Sequence, residues 1–427
     1  MTRTTLWHHP DFLRLWAADA LSQLGTQVTV LALPLLAIKV LDATAFEVGL
    51  LTTFEFLGFL LVGLPAGAWV DRMRRRNVLL VADVVRGLLF GSIPLAWWLD
   101  ALTLPQVYAV TLLAGICTVF FDVAYQSYLP HLVGRDFLVE GNAKLQGTQS
   151  VAQVAGPPIA GVLVQAITAP YAILVDALSF LWSACWIGAI RSREQRPERV
   201  PDRHLLREIR EGLSFVLRHR LLRAIAACTS TSNLFFNIGM TAFVVLLADQ
   251  AALNLSPGAI GLLFTAPAVG GLLGALVARR LADWIGQGPA MWVPVALQAP
   301  LSVALPLVDR GWRLLVVGLC LAGVGATIVV YNITQVSFRQ LLTPERLLGR
   351  MNATMRFLVW GTIPVGGFLG GVLGSTIGLR ETLWVSVAGG AFTFLPVFLS
   401  PLRWMRELPT DPAELAAAPV PGAETND

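Results

Sequence analysis

Twelve apolar runs of roughly 20 residues, separated by short polar turns, fill almost the whole of this chain. They fall at 12–40, 46–69, 78–99, 104–127, 144–167 and 171–190, then at 223–249, 257–279, 289–308, 313–335, 351–376 and 380–400. At about 1.5 Å per residue each reaches across a hydrocarbon layer about 30 Å thick. A backbone in that layer must satisfy its own hydrogen bonds, which leaves helices as the economical way to span it. Charged residues make up 14% of the 427 positions, against about 25% in a soluble domain. The expectation is an all-α membrane protein with no room for a large soluble domain. The four cysteines all lie in apolar runs without paired spacing, so they read as reduced core residues rather than disulfides or metal ligands.

Charge sets the orientation. Of the 31 lysines and arginines, only Lys39, Arg310, Arg313 and Arg380 fall on the side opposite the arginine-rich turn at Arg72–Arg76. Short basic loops stay in the cytoplasm, so both termini are expected inside, in a multi-pass protein of the cytoplasmic membrane. The long polar connection, from Arg191 to about Leu222, divides six spans from six. Leu205, Leu206, Ile209, Leu213, Val216 and Leu217 recur there at helical spacing, which fits an amphipathic helix on the inner leaflet or a solvated linker. The expected organisation is a six-helix lobe over 1–190, a linker over 191–222, a second lobe over 223–402 and a disordered tail over 403–427.

An internal repeat supports two related halves. Gly141-Asn142-Ala143 matches Met351-Asn352-Ala353 at a shift of 210 residues. The same shift pairs Gly156 with Gly366, and Gly161-Val162-Leu163 with Gly371-Val372-Leu373.

Ionisable groups inside the runs are the next signal, because a charge at mid-bilayer costs about 2.5–3.5 kcal/mol on insertion scales. Asp19 is followed at i+4 and i+8 by Gln23 and Gln27 on one helix face. Glu55 has no basic neighbour in its own run; a carboxyl withdrawn from water can exchange a proton near neutral pH. Asp83 and Arg86, three apart, read as a structural ion pair. Asp122 ends the apolar part of the fourth run, and Asp176 lies close to the outer rim of the sixth, where it can hydrogen-bond helix ends. Asp19, Glu55 and Asp122 are the proton-coupling candidates. Polar and aromatic candidates for a substrate cavity are Gln23, Gln27, Phe121 and Tyr125 in the first half, and Asn233, Phe236, Asn237, Tyr331, Asn332, Gln335 and Arg356 in the second. Such surfaces suit bulky amphipathic compounds, and routine helix packing also accounts for each of them singly.

The turn Gly67-Ala68-Trp69-Val70-Asp71-Arg72, with Arg74, Arg75 and Arg76 behind it, resembles the signature loop between helices 2 and 3 of the major facilitator superfamily. Arg74 stands where that family has a glycine. The resemblance, over about Asp11 to Leu402, implies a major facilitator fold of 12 transmembrane helices in two pseudo-symmetric six-helix lobes. It implies a conformational latch made of Gly67, Asp71, Arg72 and Arg76, with Arg350 as the partner at the start of helix 11. Gly156-Pro157-Pro158-Ile159-Ala160-Gly161 resembles the Gly-Pro-x-x-Gly-Gly motif of drug exporters, with Ala160 in place of one glycine. By the residues alone, Gly156, Pro157 and Gly161 form either a hinge or an ordinary kinked helix. Ser22-Gln23-Leu24-Gly25-Thr26-Gln27 and Phe121-Asp122-Val123-Ala124-Tyr125 are similar to the bacterial branch of macrolide-efflux and siderophore exporters. Nothing basic occurs between Arg86 and Arg135, so the helix 4 arginine of other proton–drug antiporters has no equivalent.

No phosphate loop of the Gly-x-x-x-x-Gly-Lys type, no metal-ligand cluster and no nucleophile with a partner base is found. The reading is a secondary transporter, not an enzyme, without cofactor or metal. Its expected partners are a small-molecule substrate, protons and the lipid bilayer, with no nucleic acid, and the chain is expected to work as a monomer. Proton-driven export of drug-like or macrolide-like amphipathic compounds comes first. Export of a siderophore or lipid-like metabolite, or a transporter-like receptor that binds without turnover, are the alternatives.

Overall fold

The computed structural model of the chain describes residues 6–70, 72–134, 137–192, 194, 205–344 and 347–406. The first half contains α1 (Pro10–Val40), α2 (Ala45–Val70), α3 (Arg75–Trp98), α4 (Leu104–Val133) and α5 (Leu138–Gly188). Thr168, at φ 71° and ψ 162°, breaks α5 into two legs that correspond to the fifth and sixth apolar runs. A linker helix α6 (Leu205–Arg218) follows. The second half contains α7 (Arg220–Ala248), α8 (Pro257–Ile285), α9 (Pro289–Ser302) and α10 (Arg313–Leu342). Its eleventh span is α11 (Leu348–Trp360) with α12 (Thr362–Thr376), and its twelfth is α13 (Leu379–Gly390) with α14 (Leu395–Phe398). Among the described residues, ten helical stretches are long and apolar enough to cross a membrane. One of them is α5, which crosses twice, and α9, of 14 residues, completes twelve spans.

The repeat at 210 residues runs through the whole fold. Pro10 starts α1 and Arg220 starts α7; Leu138 starts α5 and Leu348 starts α11. Packing obeys the same shift. Gly156 lies against the side chain of Gln27, and Gly366 lies against Asn237. Lipid tails are as apolar as leucine, so helices in a bilayer gain by close van der Waals approach, for which glycine leaves room. Leu88, Leu276, Leu315 and Leu319 sit exposed on the outside of the bundles, as lipid-facing side chains do. Cys228 is buried, whereas Cys185 is exposed on the outside rather than in the core.

The two lobes meet along two glycine seams. Between α5 and α8, a methyl group added at Gly161 would lie 3.1 Å from the Cα atoms of Gly258 and Gly261. Between α2 and α12, one added at Gly49 would lie 2.7 Å from the Cα of Gly371. Thr53 reinforces the second seam by donating to the carbonyl of Pro364 at 3.1 Å. Both contacts lie away from the arginine-rich turn. Towards that turn, Gly63 and Gly67 on α2 and Gly147 on α5 face open space. The lobes are therefore closed at one end and parted at the other.

Three expectations of the sequence change here. The linker helix turns its face to protein rather than lipid: Val216 is fully buried, Gly212 lies against Arg350 and Thr354 of α11, and Glu211 forms an ion pair with Arg350. Residues 403–406 belong to the second lobe rather than to a tail, because Gly288 and Gln287 donate backbone hydrogen bonds to Met405 and Arg406 at 2.8 and 3.2 Å; residues 407–427 lie outside the described residues. The helix also runs unbroken through Gly156, Pro157 and Gly161: Pro157 and Gly161 lie at the α5–α8 seam, Gly156 packs on Gln27 within its own lobe, and the break falls at Thr168 instead.

Replacing Gly161 with leucine should wedge the closed seam at a cost of about 1–3 kcal/mol. Spin labels at Asp42 and Ala251, in the turns at the closed end, are expected to move apart; an unchanged distance distribution contradicts the seam. A second prediction concerns His219, whose Nδ1 accepts from the Leu222 amide at 3.4 Å and so caps α7. Burial holds the imidazole below its ordinary value of 6.5. The folded protein thus binds this proton less readily than the unfolded chain, and the cap's contribution, present above 6.5, is lost as pH falls. The protection factor of the Leu222 amide, its exchange rate relative to the unfolded chain at the same pH, should fall on acidification and stay flat in His219→Asn.

Candidate functional site

Between the parted halves of the lobes, α1, α2 and α4 face α7, α10 and α11. The central contact is an ion pair across the interface. Arg356 of α11 donates from Nη2 to Oδ2 of Asp122 of α4 at 2.9 Å, and both side chains are about one-third exposed. The guanidinium lies over Trp360 at 4.3 Å and near Phe59 of α2 at 5.4 Å, and those two rings meet edge to face at 4.7 Å. The aromatic faces and the carboxylate hold Arg356 from both lobes at once.

Around this pair the first lobe collects acids. Asp19 is buried on α1, accepts from Gln23 Nε2 at 3.4 Å, and has Tyr125 beside it. Tyr125 stacks on Phe121 with centroids 5.8 Å apart. Glu55, half-buried on α2, makes no hydrogen bond or ion pair among the described residues. Helical spacing puts it on the face of Thr52 and Phe59, which meet Gly367 and Trp360 of the other lobe. Asp83 is paired with Arg86 and accepts from Ser183 at 2.6 Å; Arg86 lies between the rings of Phe121 and Phe180 at 4.4 and 4.3 Å.

The second lobe supplies fewer cavity groups than its sequence suggests. Asn237 and Asn233 are half-buried, and Asn233 donates to the Val359 carbonyl at 3.3 Å, stitching α7 to α11. Phe236 and Asn332 are exposed. Tyr331 and Gln335 are each 4% exposed and point into the lobe, where the Tyr331 hydroxyl meets Thr229 at 2.5 Å. They are packing residues in this conformation.

The latch residues are dispersed. Asp71 lies outside the described residues. Arg72 is exposed in the turn, and Gly67 has open space beside it. Arg76 donates to the Ile187 carbonyl at 3.1 Å and also to that of Gly188, tying α3 to the end of α5 within one lobe. Arg350 pairs with Glu211 of the linker helix.

Two features escaped the sequence. Asp176 is not at a rim: it is fully buried against Gly25, near the middle of α1. The lobes are also unequal in charge. At a shift of 210, Asp19, Glu55 and Asp83 correspond to Thr229, Thr265 and Val293, and Arg86, Asp122 and Asp176 to Ala296, Asn332 and Ser386. Every embedded charge of the first lobe has an uncharged counterpart, so comparing the halves position by position would have exposed the asymmetry.

The model of the Major Facilitator Superfamily matches residues 15–361. Among curated relatives, the multidrug efflux pump Tap of Mycolicibacterium fortuitum is 28% identical over 89% of this chain and 93% of its own length. The enterobactin exporter EntS of Escherichia coli O127:H6 is 27% identical over 94% of each chain. In fold, the chain is similar to a bacterial homologue of the iron transporter ferroportin in its inward-facing state, with a TM-score of 0.70 at 16% identity, covering 91% of this chain and 98% of the other. Twelve spans, two lobes related by one shift and a polar cleft between them agree with that match: the chain is a multi-pass membrane transporter, not an enzyme, and belongs to the major facilitator superfamily.

Proposed function

We propose that the protein exports small amphipathic compounds of the drug or macrolide kind across the cytoplasmic membrane by proton antiport with alternating access. The observation that carries this reading is the Asp122–Arg356 pair across the cleft. With the arginine-rich turn in the cytoplasm, both termini are inside and the open end of the cleft faces inward. A compound entering from that side meets Phe59, Trp360, Phe121 and Tyr125 as apolar surfaces and Glu55 and Asp122 as acids. A proton on either carboxyl weakens its hold on a cation, and a bound cation opposes the proton. Competition of that kind is what antiport requires, since a ligand moves a two-state equilibrium only by its differential affinity for the states. Rocking that closes the open end changes how α4 and α11 face each other, and a proton or a substrate group competes with Arg356 for Asp122.

The direction of transport rests on likeness to an efflux pump and an enterobactin exporter. Arg356, backed by two aromatic rings, equally suits an anionic aromatic compound, which favours a dedicated siderophore-like substrate as the second reading. One chain supplies both lobes of the pathway, so a monomer suffices.

Accumulation of a panel of dyes, antibiotics and catecholate compounds in cells with and without the protein separates the two readings. In inverted vesicles, uptake of the compound so found should collapse with an uncoupler. Glu55→Gln and Asp122→Asn should each lower proton-driven uptake about tenfold, equivalent to 1.4 kcal/mol. Uptake indifferent to the proton gradient contradicts antiport. Arg356→Gln, which installs the residue found at the symmetric Gln146, should lower uptake similarly by leaving Asp122 without its cation.

A further inference from the structure

The cleft does not use every embedded carboxyl. Asp176, in the second leg of α5, has no exposed surface. Its Oδ1 accepts from Ser179 Oγ at 3.0 Å, while Oδ2 makes no hydrogen bond among the described residues. Thr29 of α1, 8% exposed, has its hydroxyl beside Asp176 but outside ordinary hydrogen-bond geometry, with no other partner among the described residues. Space for the acid is made by Gly25, where a methyl group would collide with both Asp176 and Ser179.

The charged groups around it are accounted for. Arg86 of α3 is committed to Asp83 and held between two rings. Asp19 lies further along the same polar stripe of α1, with Ser22 between it and Gly25. On α5, Asp176, Ser179 and Ser183 fall at i, i+3 and i+7, all buried, and Ser183 donates to Asp83 Oδ2 at 2.6 Å. A buried polar line therefore runs from Asp176 towards the arginine-turn end of the lobe.

Helix packing does not require this acid. The second lobe makes the same crossing with Ser386 in place of Asp176, Phe235 for Gly25, Gly239 for Thr29 and Gly389 for Ser179. There Ser386 donates to the Phe235 carbonyl at 2.7 Å, and the Phe235 ring packs on Gly389. An embedded carboxyl costs about 2.5–3.5 kcal/mol on insertion scales, so the first lobe carries a cost that its twin avoids at the same position.

We propose that Asp176, Thr29 and Ser179 form a proton seat inside the first lobe, separate from the substrate cleft, with Ser183 and Asp83 as the polar path towards the arginine-turn face. The inference rests on the antiport reading for its use, but the seat itself is defined by proton binding. In each cycle the carboxylate would take one proton, hold it as an O–H bond, and release that same proton at the other face; no other bond changes.

Infrared difference spectra of the full chain in lipid nanodiscs, recorded through a pH titration, test it. A protonated-carboxyl C=O band that titrates in the wild type should be missing in Asp176→Asn. Should that variant fail to fold, Ser179→Ala keeps the acid, and should shift the midpoint of the band by up to about one pH unit, the size of one hydrogen bond. An unchanged set of titrating bands in Asp176→Asn, or an unmoved midpoint in Ser179→Ala, overturns the seat. A titrating Asp176 band in a protein whose ethidium efflux ignores the pH gradient supports the seat and contradicts antiport alone.

Discussion

A carboxylate cannot face hydrocarbon, and the arrangement of this protein follows from where its embedded acids are sheltered. Five acids and one arginine lie at membrane depth in the first lobe, and the second lobe answers each with a threonine, valine, alanine, asparagine or serine. The same backbone is thus built twice, once as a charged body and once as a nearly neutral one. Arg356 is the exception, and it reaches across the cleft to the charged side. Glycine seams at one end let the two bodies touch closely, because backbone meets backbone with no side chain between.

That inequality gives each lobe a separate task. On the antiport proposed above, protonation would change the charge of the first lobe, and Arg356 would be the group through which the second lobe senses it. A pair about one-third exposed is worth little to stability. Its value lies in linkage: whatever alters Asp122 alters how firmly the lobes are held, and whatever holds the lobes alters Asp122. The linker helix is attached to the second lobe, since Glu211 fastens it to Arg350 at the root of α11.

Much of this was legible in the residues. Apolar length located the spans, with ends displaced by up to seven positions, and the shift seen at Gly156 and Gly366 proved to govern the packing of both glycines. Depth was harder. Hydropathy began the sixth run at 171 and so left Asp176 near a rim, but Thr168 turns the chain in a single residue and places the acid opposite Gly25. Pairing across 234 residues left no local trace, so Asp122 and Arg356 could be nominated separately but not joined. The linker's periodicity revealed an apolar face without saying whether lipid or α11 would cover it. Tyr331 and Gln335 were misplaced for a related reason: a polar residue in an apolar run signals a need for shelter, and the lobe interior provides it as well as a cleft does.

The central claim is that acids of one lobe set the conformation of both. Double electron–electron resonance between labels at Asp42 and Ala251, measured through a pH titration, tests it most directly. The account predicts that the distance distribution shifts with pH in the wild type. It predicts no such shift once Asp19, Glu55, Asp122 and Asp176 are replaced by their second-lobe counterparts threonine, threonine, asparagine and serine. A pH-dependent shift that survives those replacements would contradict it.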